Sequence, residues 1–432
     1  MYENLESLRS FAELPFSRPT SVHPMITTDK SEHLPETRLV IACAQTSLGP
    51  RALSDVADIL GGSVDWDYII RIANRNAVLP LISRNLLHHW SDLLPPEIRE
   101  TLSLGHQQQV QRNMIATAGL LKLIDAFHSS NIAVLPFKGP VLAIRAHGDL
   151  SLRRYGDLDL LIHPADLARS IEMLKANGYS PLTSATWLQK TTWNISDKKD
   201  ILFTSDKGDL PVELHWKLSG SHFALPLEED RLWARAEETT IAGRNISTLS
   251  FNDLLLYLCL HGSRHSWERL GWISDINELI GSTDTIAWEQ LTAEADRLGC
   301  RNVLGLGLYL VHDFFGGEFA IPNWERIKND RMFREIAANV HSSLFADEAT
   351  NWVIGDRYAY HLQLREKLTD RWKLHLHYLR WYLKIIFTPN RSDEGVFHLP
   401  RWLVSLYYVL RPTRLFYTYV IKSKSGKKRR VP

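Results

Sequence analysis

The sequence is poor in cysteine and has no long apolar run. Its 432 residues include only three cysteines, Cys43, Cys259 and Cys300, each isolated beside apolar residues. Three thiols cannot form a disulfide framework and show no zinc-site spacing, so we expect buried core thiols in a reducing compartment. No apolar stretch reaches the ~18 residues that a membrane-spanning helix needs. Since the N-terminus also lacks a basic region followed by an apolar one, the sequence predicts a cytoplasmic protein.

The chain also lacks an excess of charge of either sign. Its 50 Lys and Arg are balanced by 49 Asp and Glu, a formal net charge of +1. This balance argues against a sequence-specific nucleic-acid partner and against a highly charged disordered chain. Hydrophobic residues make up 44% and charged residues 23%, which is typical of a globular protein. The length corresponds to roughly two to three domains.

Composition and apolar periodicity divide the chain into five segments. Residues 1–35 are polar and contain several prolines, which predicts a flexible leader. Residues 36–127 have apolar residues at spacings of three and four, which predicts an N-terminal helical region. An α/β core is predicted over 128–250 and a C-terminal helical domain over 251–395. Residues 396–432 form an aromatic segment with a basic tail.

Short apolar runs within the core segment predict strands. These runs cover residues 131–139, 155–164, 200–206 and 211–218. Residues 165–179 have helical spacing, which Asn177 and Gly178 end. The order predicts an α+β fold, in which a mixed sheet is flanked by the N-terminal and C-terminal helical regions.

Two acidic residues lie on one face of the second predicted strand. Because side chains alternate along a strand, Asp157 and Asp159 share one face and the apolar residues take the other. Burying two adjacent carboxylates is costly unless a cation neutralises them. Mg²⁺ is the simplest such cation, because it prefers carboxylate oxygens. A solvent-facing pair at a strand end is the alternative interpretation.

The predicted strand over 211–218 repeats this alternation. Glu213 and His215 share one face, while Val212 and Leu214 belong to the apolar one. If the two strands are neighbours, Glu213 adds a third carboxylate to the pair. His215 then either orients a ligand or hydrogen-bonds to a residue that binds one.

A phosphate-binding element is predicted upstream of the acids. Lys138 and Gly139 end the first strand and open a helix-like run. A helix N-terminus exposes backbone N–H groups that suit phosphate oxygens. Arg153 and Arg154, just before the acids, can add bidentate phosphate contacts. Together these residues indicate a site for a metal and a nucleotide.

Three runs of the sequence carry a resemblance to a known family. They are LPFKGPVLAIRAHGDLSLRRYGDLDLLI, VELHW and LHGSRHSWERLGWISDI. The chain resembles, over about residues 60–415, bacterial proteins described as uncharacterised nucleotidyltransferases, which belong to the DNA-polymerase-β-like superfamily. The resemblance implies a nucleotidyltransferase-like core in which Asp157 and Asp159 match the metal-binding Asp-x-Asp pair and Glu213 matches the third carboxylate. Lys138-Gly139 stands where most of the superfamily has Gly-Ser.

The resemblance also implies a reaction, the transfer of a nucleoside monophosphate from an NTP to a hydroxyl of a small molecule, peptide or protein. Two Mg²⁺ ions held by Asp157 and Asp159 would clamp the triphosphate, and Glu213 would help to deprotonate the acceptor. Phosphate charge would be neutralised by three basic residues, Lys138, Arg153 and Arg154. The Lys-Gly pair and the Glu in place of Asp motivate an alternative, an inactive nucleotide- or peptide-binding module that retains the fold.

Two histidines and four tryptophans are further candidates. His261 and His265 lie four residues apart on a predicted helix, but without an HExxH arrangement a zinc site is not favoured. One interpretation is that they form a polar helix face against the core. The other, which the resemblance suggests, is that they line a ligand cleft together with Asp275. The four tryptophans are Trp193, Trp216, Trp267 and Trp272. They either stack on a base or, as we expect for most of them, pack in the core.

The aromatic C-terminal segment leaves three interpretations open. Residues 396–421 dock as a helix on the body, contact an anionic membrane surface peripherally, or bind an acidic partner. Docking is favoured, with membrane contact second. Only nine apolar or small residues run from Trp402 to Leu410, too few to span a membrane. The tail over 422–432 contains six Lys and Arg and no acid, and we expect it to be solvated.

Overall fold

The structure is a computed structural model. It describes residues 34–182, 199–206, 208–219, 229–346, 354–389, 393 and 401–416. Three sequence predictions lie wholly or largely outside this part of the chain: the leader over 1–35, base stacking by Trp193 and the solvated tail over 422–432. The predicted division into five segments stays a prediction.

Among the described residues, five α-helices precede the sheet. They are α1 (Pro35–Cys43), α2 (Pro50–Leu60), α3 (Trp66–Arg75), α4 (Leu79–His89) and α5 (Pro96–Ser129). Proline occupies the first turn of several of them, where its missing N–H costs nothing and its fixed φ suits a helix. The side chain of Asp65 caps α3 by accepting a hydrogen bond from the backbone N–H of Tyr68.

The five-stranded sheet has the order β1-β2-β5-β4-β3. Its strands are β1 (Val134–Pro136), β2 (Leu158–Ile162), β3 (Tyr179–Pro181), β4 (Asp200–Ser205) and β5 (Val212–His215). Strands β2 and β5 pair in parallel, and the other neighbours are antiparallel. Helix α6 (Pro140–His147) follows β1, and α7 (Leu167–Ala176) follows β2. The predicted α+β fold with a mixed sheet is therefore confirmed.

One face of the sheet is apolar, as the alternation predicts. Leu158, Leu160 and Ile162 of β2 join Val212 and Leu214 of β5 in one hydrophobic cluster. The cluster is completed by residues of α5 and α7 (Leu120, Leu123, Ile124, Phe127, Met173 and Leu174). Because this face is covered, the acidic side chains of β2 and β5 lie on the other one.

Strand β3, a two-stranded hairpin and a short helix of the core segment were not predicted from the sequence. Strand β3 directly follows the turn at Gly178, whose φ is +87°. Strands β6 (Glu237–Ile241) and β7 (Arg244–Thr248) form a separate hairpin after the short helix α8 (Glu229–Ala234). The signal for the hairpin was present, since β-branched residues flank Ala242-Gly243, both of which have positive φ.

Helices return after Ser250, whose side chain caps α9 (Phe251–Arg264). The others are α10 (Leu270–Gly281), α11 (Trp288–Leu298), α12 (Arg301–Phe315), α13 (Trp324–Lys328), α14 (Arg331–Phe345), α15 (Ile354–Gln363) and α16 (Leu368–Phe387). Helices α9 to α15 share one hydrophobic core with helices α1 to α4. All three cysteines are buried, as predicted, and so are Trp216 and Trp267.

The described part of the C-terminal segment docks on the body. A 3₁₀ helix (Arg401–Leu406) leads into α17 (Tyr407–Phe416), which packs against α16. Asp393 accepts hydrogen bonds from Arg411 and Arg414, each at 2.6 Å. Within the described residues, no helix combines the length and the apolarity that crossing a membrane requires.

Candidate active site

The parallel pairing of β2 and β5 brings the predicted acids together. Asp159 lies directly opposite Glu213 in the register of the two strands. Asp157 comes just before β2 begins at Leu158. The two strands are therefore neighbours, which was the condition for Glu213 to add a third carboxylate to the pair.

Three side chains of these strands form a compact group. The potential ligand atoms of Asp159, Glu213 and His215 all lie within 4.8 Å of one another. His215 Nε2 is 3.2 Å from Asp159 Oδ1 and 3.3 Å from Glu213 Oε2. Lys138 Nζ is 3.3 Å from the same Oδ1 of Asp159. Asp159 Oδ2 is buried and has no hydrogen-bond partner among the described residues.

The charges in this group shift each other's pKa values. Burial by itself would raise the pKa of Asp159, but Lys138 and His215 outweigh it and hold that pKa well below its usual range. Burial likewise opposes the charge of Lys138, and Asp159 reverses this so that the pKa of Lys138 is raised. The pKa of Asp157 is raised, first by burial and then by the negative charge of Asp159.

The residues present fit a divalent cation. Mg²⁺ takes carboxylate oxygens and keeps several positions for water or substrate phosphates. The partnerless Oδ2 of Asp159 is such an oxygen, and the carboxylates of Asp157 and Glu213 line the same cavity. His215 is fully buried and does not line the cavity, so it orients the acids from behind. Asp157 stands outside the compact group, and its assignment as a ligand stays a prediction.

Gly139 begins helix α6 in a conformation that only glycine adopts easily. Its φ is +53° and its ψ is −127°. A Cβ at this position would lie 3.3 Å from the carbonyl oxygen of Asp157. The close approach of Gly139 to this carbonyl sets the first turn of α6 directly beside the acids. The structure thus shows why the residue after Lys138 is glycine.

A cavity of about 980 Å³ opens over the acids. It is lined by most of the predicted site residues: Lys138, Arg153, Arg154, Asp157, Asp159, Glu213, His261, His265 and Asp275. Gly139 and His215 do not line it. Ala77, Val78 and Leu81, from the turn between α3 and α4 and from α4 itself, close one side, so the N-terminal helices contribute to the site.

Arg153 is held by an ion pair rather than left free for phosphate. Its Nε lies 2.9 Å from Oδ1 and 3.1 Å from Oδ2 of Asp275. His147 Nε2 lies 2.9 Å from the same Oδ1. Burial alone would raise the pKa of Asp275, but Arg153 and His147 outweigh it and lower that pKa. Arg154 contacts only the side chain of Asn74 among the described residues, and the phosphate role of both arginines stays a prediction.

His261, His265 and Trp272 form an aromatic cluster at the cavity. The ring centroids of the two histidines are 4.8 Å apart, and Trp272 lies 5.1 Å from His261 and 5.5 Å from His265. Burial and the nearby Arg264 lower the pKa of His265 to about 3, and burial and Lys138 lower that of His261. Both shifts favour the neutral imidazole. Trp272 differs from Trp216 and Trp267 in lining the cavity.

Several residues of the site were missed in the sequence. Lys199 and Asp200 line the cavity at the start of β4, and Asp200 pairs with His215 in the strand register. Tyr257 of α9 places its ring 5.3 Å from Lys138 Nζ. Asp200 carried a signal, since it is an acid at the first position of a predicted strand. Nothing in the local sequence pointed to Tyr257.

A second cavity of about 730 Å³ adjoins the first. The two share Arg154, Tyr155, Gly156 and Arg269 in their linings. Residues of α5, among them Gln109 and Asn113, form another wall of the second cavity. The acids therefore line the first cavity, and the second lies behind the wall at Gly156, the residue before Asp157.

The mixed sheet with an acidic face, placed between helical regions, defines an α+β fold of the nucleotidyltransferase type. Residues 62–316, more than half of the chain, match the family described as uncharacterised nucleotidyltransferase. The protein belongs to this family, as the sequence resemblance predicted. No curated protein matches the chain.

Proposed function

We propose that the protein is a Mg²⁺-dependent nucleotidyltransferase that moves a nucleoside monophosphate from an NTP to a hydroxyl-bearing small molecule, peptide or protein. One observation carries the proposal. Asp159 and Glu213 face each other on parallel strands, and the buried Oδ2 of Asp159 is left without a partner among the described residues. Such an oxygen beside a large cavity suits a divalent cation. A cytoplasmic location fits an NTP substrate and three unpaired cysteines.

The chain's own residues would do four things in this reaction. Asp157, Asp159 and Glu213 would hold Mg²⁺, which when bound stabilises the charge on the attacking and leaving oxygens. His215 and Lys138 hold Asp159 in one orientation and keep it ionised. Glu213, whose side chain is 32% exposed, would take the proton of the acceptor hydroxyl. The hydroxyl oxygen then bonds to the α-phosphorus as the bond to the leaving pyrophosphate breaks.

The nucleotide would bind in the first cavity and the acceptor would enter through the second. The aromatic cluster of His261, His265 and Trp272 offers flat, uncharged rings for a nucleobase in the first cavity. Lys138 lies in the same cavity and is positively charged, which suits the triphosphate. The acceptor would then enter through the second cavity, which reaches Gly156 next to the acids.

A second candidate function is the nucleotide- or peptide-binding module without turnover. The Lys138–Asp159 ion pair favours it. This pair neutralises the most buried acid of the site without any metal. A chain that had lost catalysis could therefore keep these acids at little cost.

A transfer assay with each α-³²P-labelled NTP, Mg²⁺ and cell extract as the source of acceptor tests the proposal. The intact protein should label an acceptor, and Asp157→Asn/Asp159→Asn should reduce labelling by at least about a thousandfold. The matched control is Asp55→Asn/Asp58→Asn, which alters two acids of α2 outside both cavities. It should label as the intact protein does.

The remaining outcomes separate the two functions. Tight retention of the nucleotide without transfer would support the binding module. Neither binding nor transfer would mean that the fold is present without either activity. Equal loss of labelling in both double variants would contradict a specific role for the acids.

A further inference from the structure

Helix α16 exposes a continuous apolar stripe. Six large apolar side chains at spacings of three and four residues are each between 45% and 74% exposed: Leu368, Trp372, Leu376, Leu379, Leu383 and Phe387. At about 100° per residue these positions cover about 100° of the helix circumference. The stripe runs the whole length of α16, about 30 Å at 1.5 Å per residue. Scattered exposed leucines are ordinary, but an uninterrupted stripe of this length is not.

The other face of α16 belongs to the body of the protein. Leu374 is buried, and His377 and Tyr378 line the cavity over the acids. The helix is therefore held in place by one face while the stripe points away from the body. None of the described residues covers the stripe.

Charge is strongly segregated toward this end of the chain. From Arg371 to Pro432 there are fourteen Lys and Arg and two acids, a net charge of +12. Since the whole chain carries +1, residues 1–370 carry −11. Lys373 and Arg380 lie next to the stripe on the helix surface, where their side chains can reach past the apolar residues. The apolar stripe thus belongs to the part of the sequence that carries the positive charge.

We propose that α16 docks the protein on an anionic lipid surface, with the stripe in the interface and the basic residues at the headgroups. An amphipathic helix with Trp and Leu on one face and Lys and Arg beside them binds such surfaces through apolar burial and charge attraction together. Charge complementarity decides among the possible occupants. A second copy packed stripe against stripe would bring +12 against +12, and the segment after residue 416 is itself basic, whereas an anionic bilayer attracts these basic residues.

Docking in this way has a consequence for the site. Because α16 lines the cavity with His377 and Tyr378, lipid binding would hold the cavity about one helix diameter, ~10 Å, from the surface. The proposal itself does not depend on nucleotidyl transfer, since lipid binding needs neither metal nor NTP.

Co-sedimentation of the full chain with vesicles tests the docking. Vesicles of phosphatidylcholine alone are compared with vesicles that also contain phosphatidylglycerol. We expect binding only to the anionic vesicles, weakened by salt. Trp372→Ser/Leu376→Ser/Leu379→Ser should weaken binding by at least about tenfold. Lys373→Glu/Arg380→Glu should do so as well, through charge rather than apolar area.

The matched control removes three other exposed apolar side chains, in Leu93→Ser/Leu104→Ser/Met114→Ser. This variant should bind as the intact protein does, and circular dichroism should show that all variants are folded. Equal sedimentation of the intact protein and the stripe variant would overturn the proposal. So would equal binding to neutral and anionic vesicles. A dimer in sedimentation equilibrium that the stripe variant dissociates, without vesicle binding, would assign the stripe to a second copy instead.

Discussion

The ammonium group of Lys138 lies 3.3 Å from Oδ1 of Asp159, and both side chains are almost fully withdrawn from solvent. The sequence suggested that the paired acids need a bound metal to offset their repulsion. The structure adds a cation from the chain itself, Lys138 in the loop before α6, although the charge of Asp159 still raises the pKa of Asp157. Lys138 contacts Oδ1 of the carboxylate, while the buried Oδ2 has no hydrogen-bond partner among the described residues. A metal and the lysine can therefore act on the same acid from different sides.

Lys138→Met should destabilise the metal-free protein by about 3 kcal/mol. The substitution leaves the buried Asp159 without its main counter-charge, and breaking a buried ion pair by removing one partner is costly. Urea unfolding in EDTA measures the change. Adding Mg²⁺ should restore more stability to the variant than to the intact protein, because the metal replaces the missing positive charge.

The control for this prediction is Lys122→Met, which removes an exposed lysine of α5. It should leave the free energy of unfolding nearly unchanged. If Lys138→Met behaves like Lys122→Met, the ion pair contributes nothing and Asp159 is stabilised in another way.

Mg²⁺ should raise the melting temperature of the intact protein. A ligand that binds only the folded state at a hundred times its Kd adds about 2.7 kcal/mol of stability. Asp159→Asn should abolish the shift, since it removes the oxygen that lacks a partner. Asp55→Asn, on α2, should retain it. A shift of equal size in the Asp159 variant would place Mg²⁺ elsewhere in the protein.

The buried Asp275 should make stability depend on pH in the acid range. Its pKa in the folded protein is lowered, so its contribution to stability is complete above the unfolded pKa of ~3.9 and is lost as the pH falls through the lower folded value. Asp275→Asn should cost about 3–5 kcal/mol at pH 7, because Arg153 loses its partner.

This difference should begin to shrink below about pH 4, where the carboxyl of the unfolded chain binds a proton, and should be smallest once the pH falls below the lower folded pKa. Urea midpoints of both proteins between pH 3 and pH 7 check the prediction. A constant difference across this range would show that Asp275 does not act through its charge.

Trp272→Ala should weaken binding of a non-hydrolysable NTP analogue by about tenfold, in line with the 1–3 kcal/mol measured for stacked bases. Isothermal titration calorimetry gives the Kd. Trp372→Ala is the matched control, since Trp372 is 74% exposed on α16 and lies outside the cavity. Equal affinity of both variants would exclude stacking on Trp272.

Local patterns predicted the sheet well. Alternation along β2 and β5 assigned Asp159, Glu213 and the opposite apolar face correctly, because side-chain direction in a strand follows from the backbone alone. The pairing of Arg153 with Asp275 could not be predicted, since it joins residues 122 positions apart through tertiary packing. The exposure of the stripe on α16 could not be predicted either, for a related reason. Periodicity indicates an apolar face but does not say whether another element covers it.

Gly139→Ala should cost about 1–3 kcal/mol of stability and weaken the Mg²⁺ response as well. Alanine is strained at a φ of +53° and a ψ of −127°. Its Cβ would also crowd the carbonyl of Asp157, 3.3 Å away, and so displace the acids.

Gly148→Ala is the matched control at the other end of α6. Its φ is +69°, but a Cβ there has no neighbour within 4 Å. That variant should lose about 1 kcal/mol of stability through backbone strain and keep the full Mg²⁺ response. Equal Mg²⁺ responses in the two variants would show that the Gly139 backbone does not position the acids.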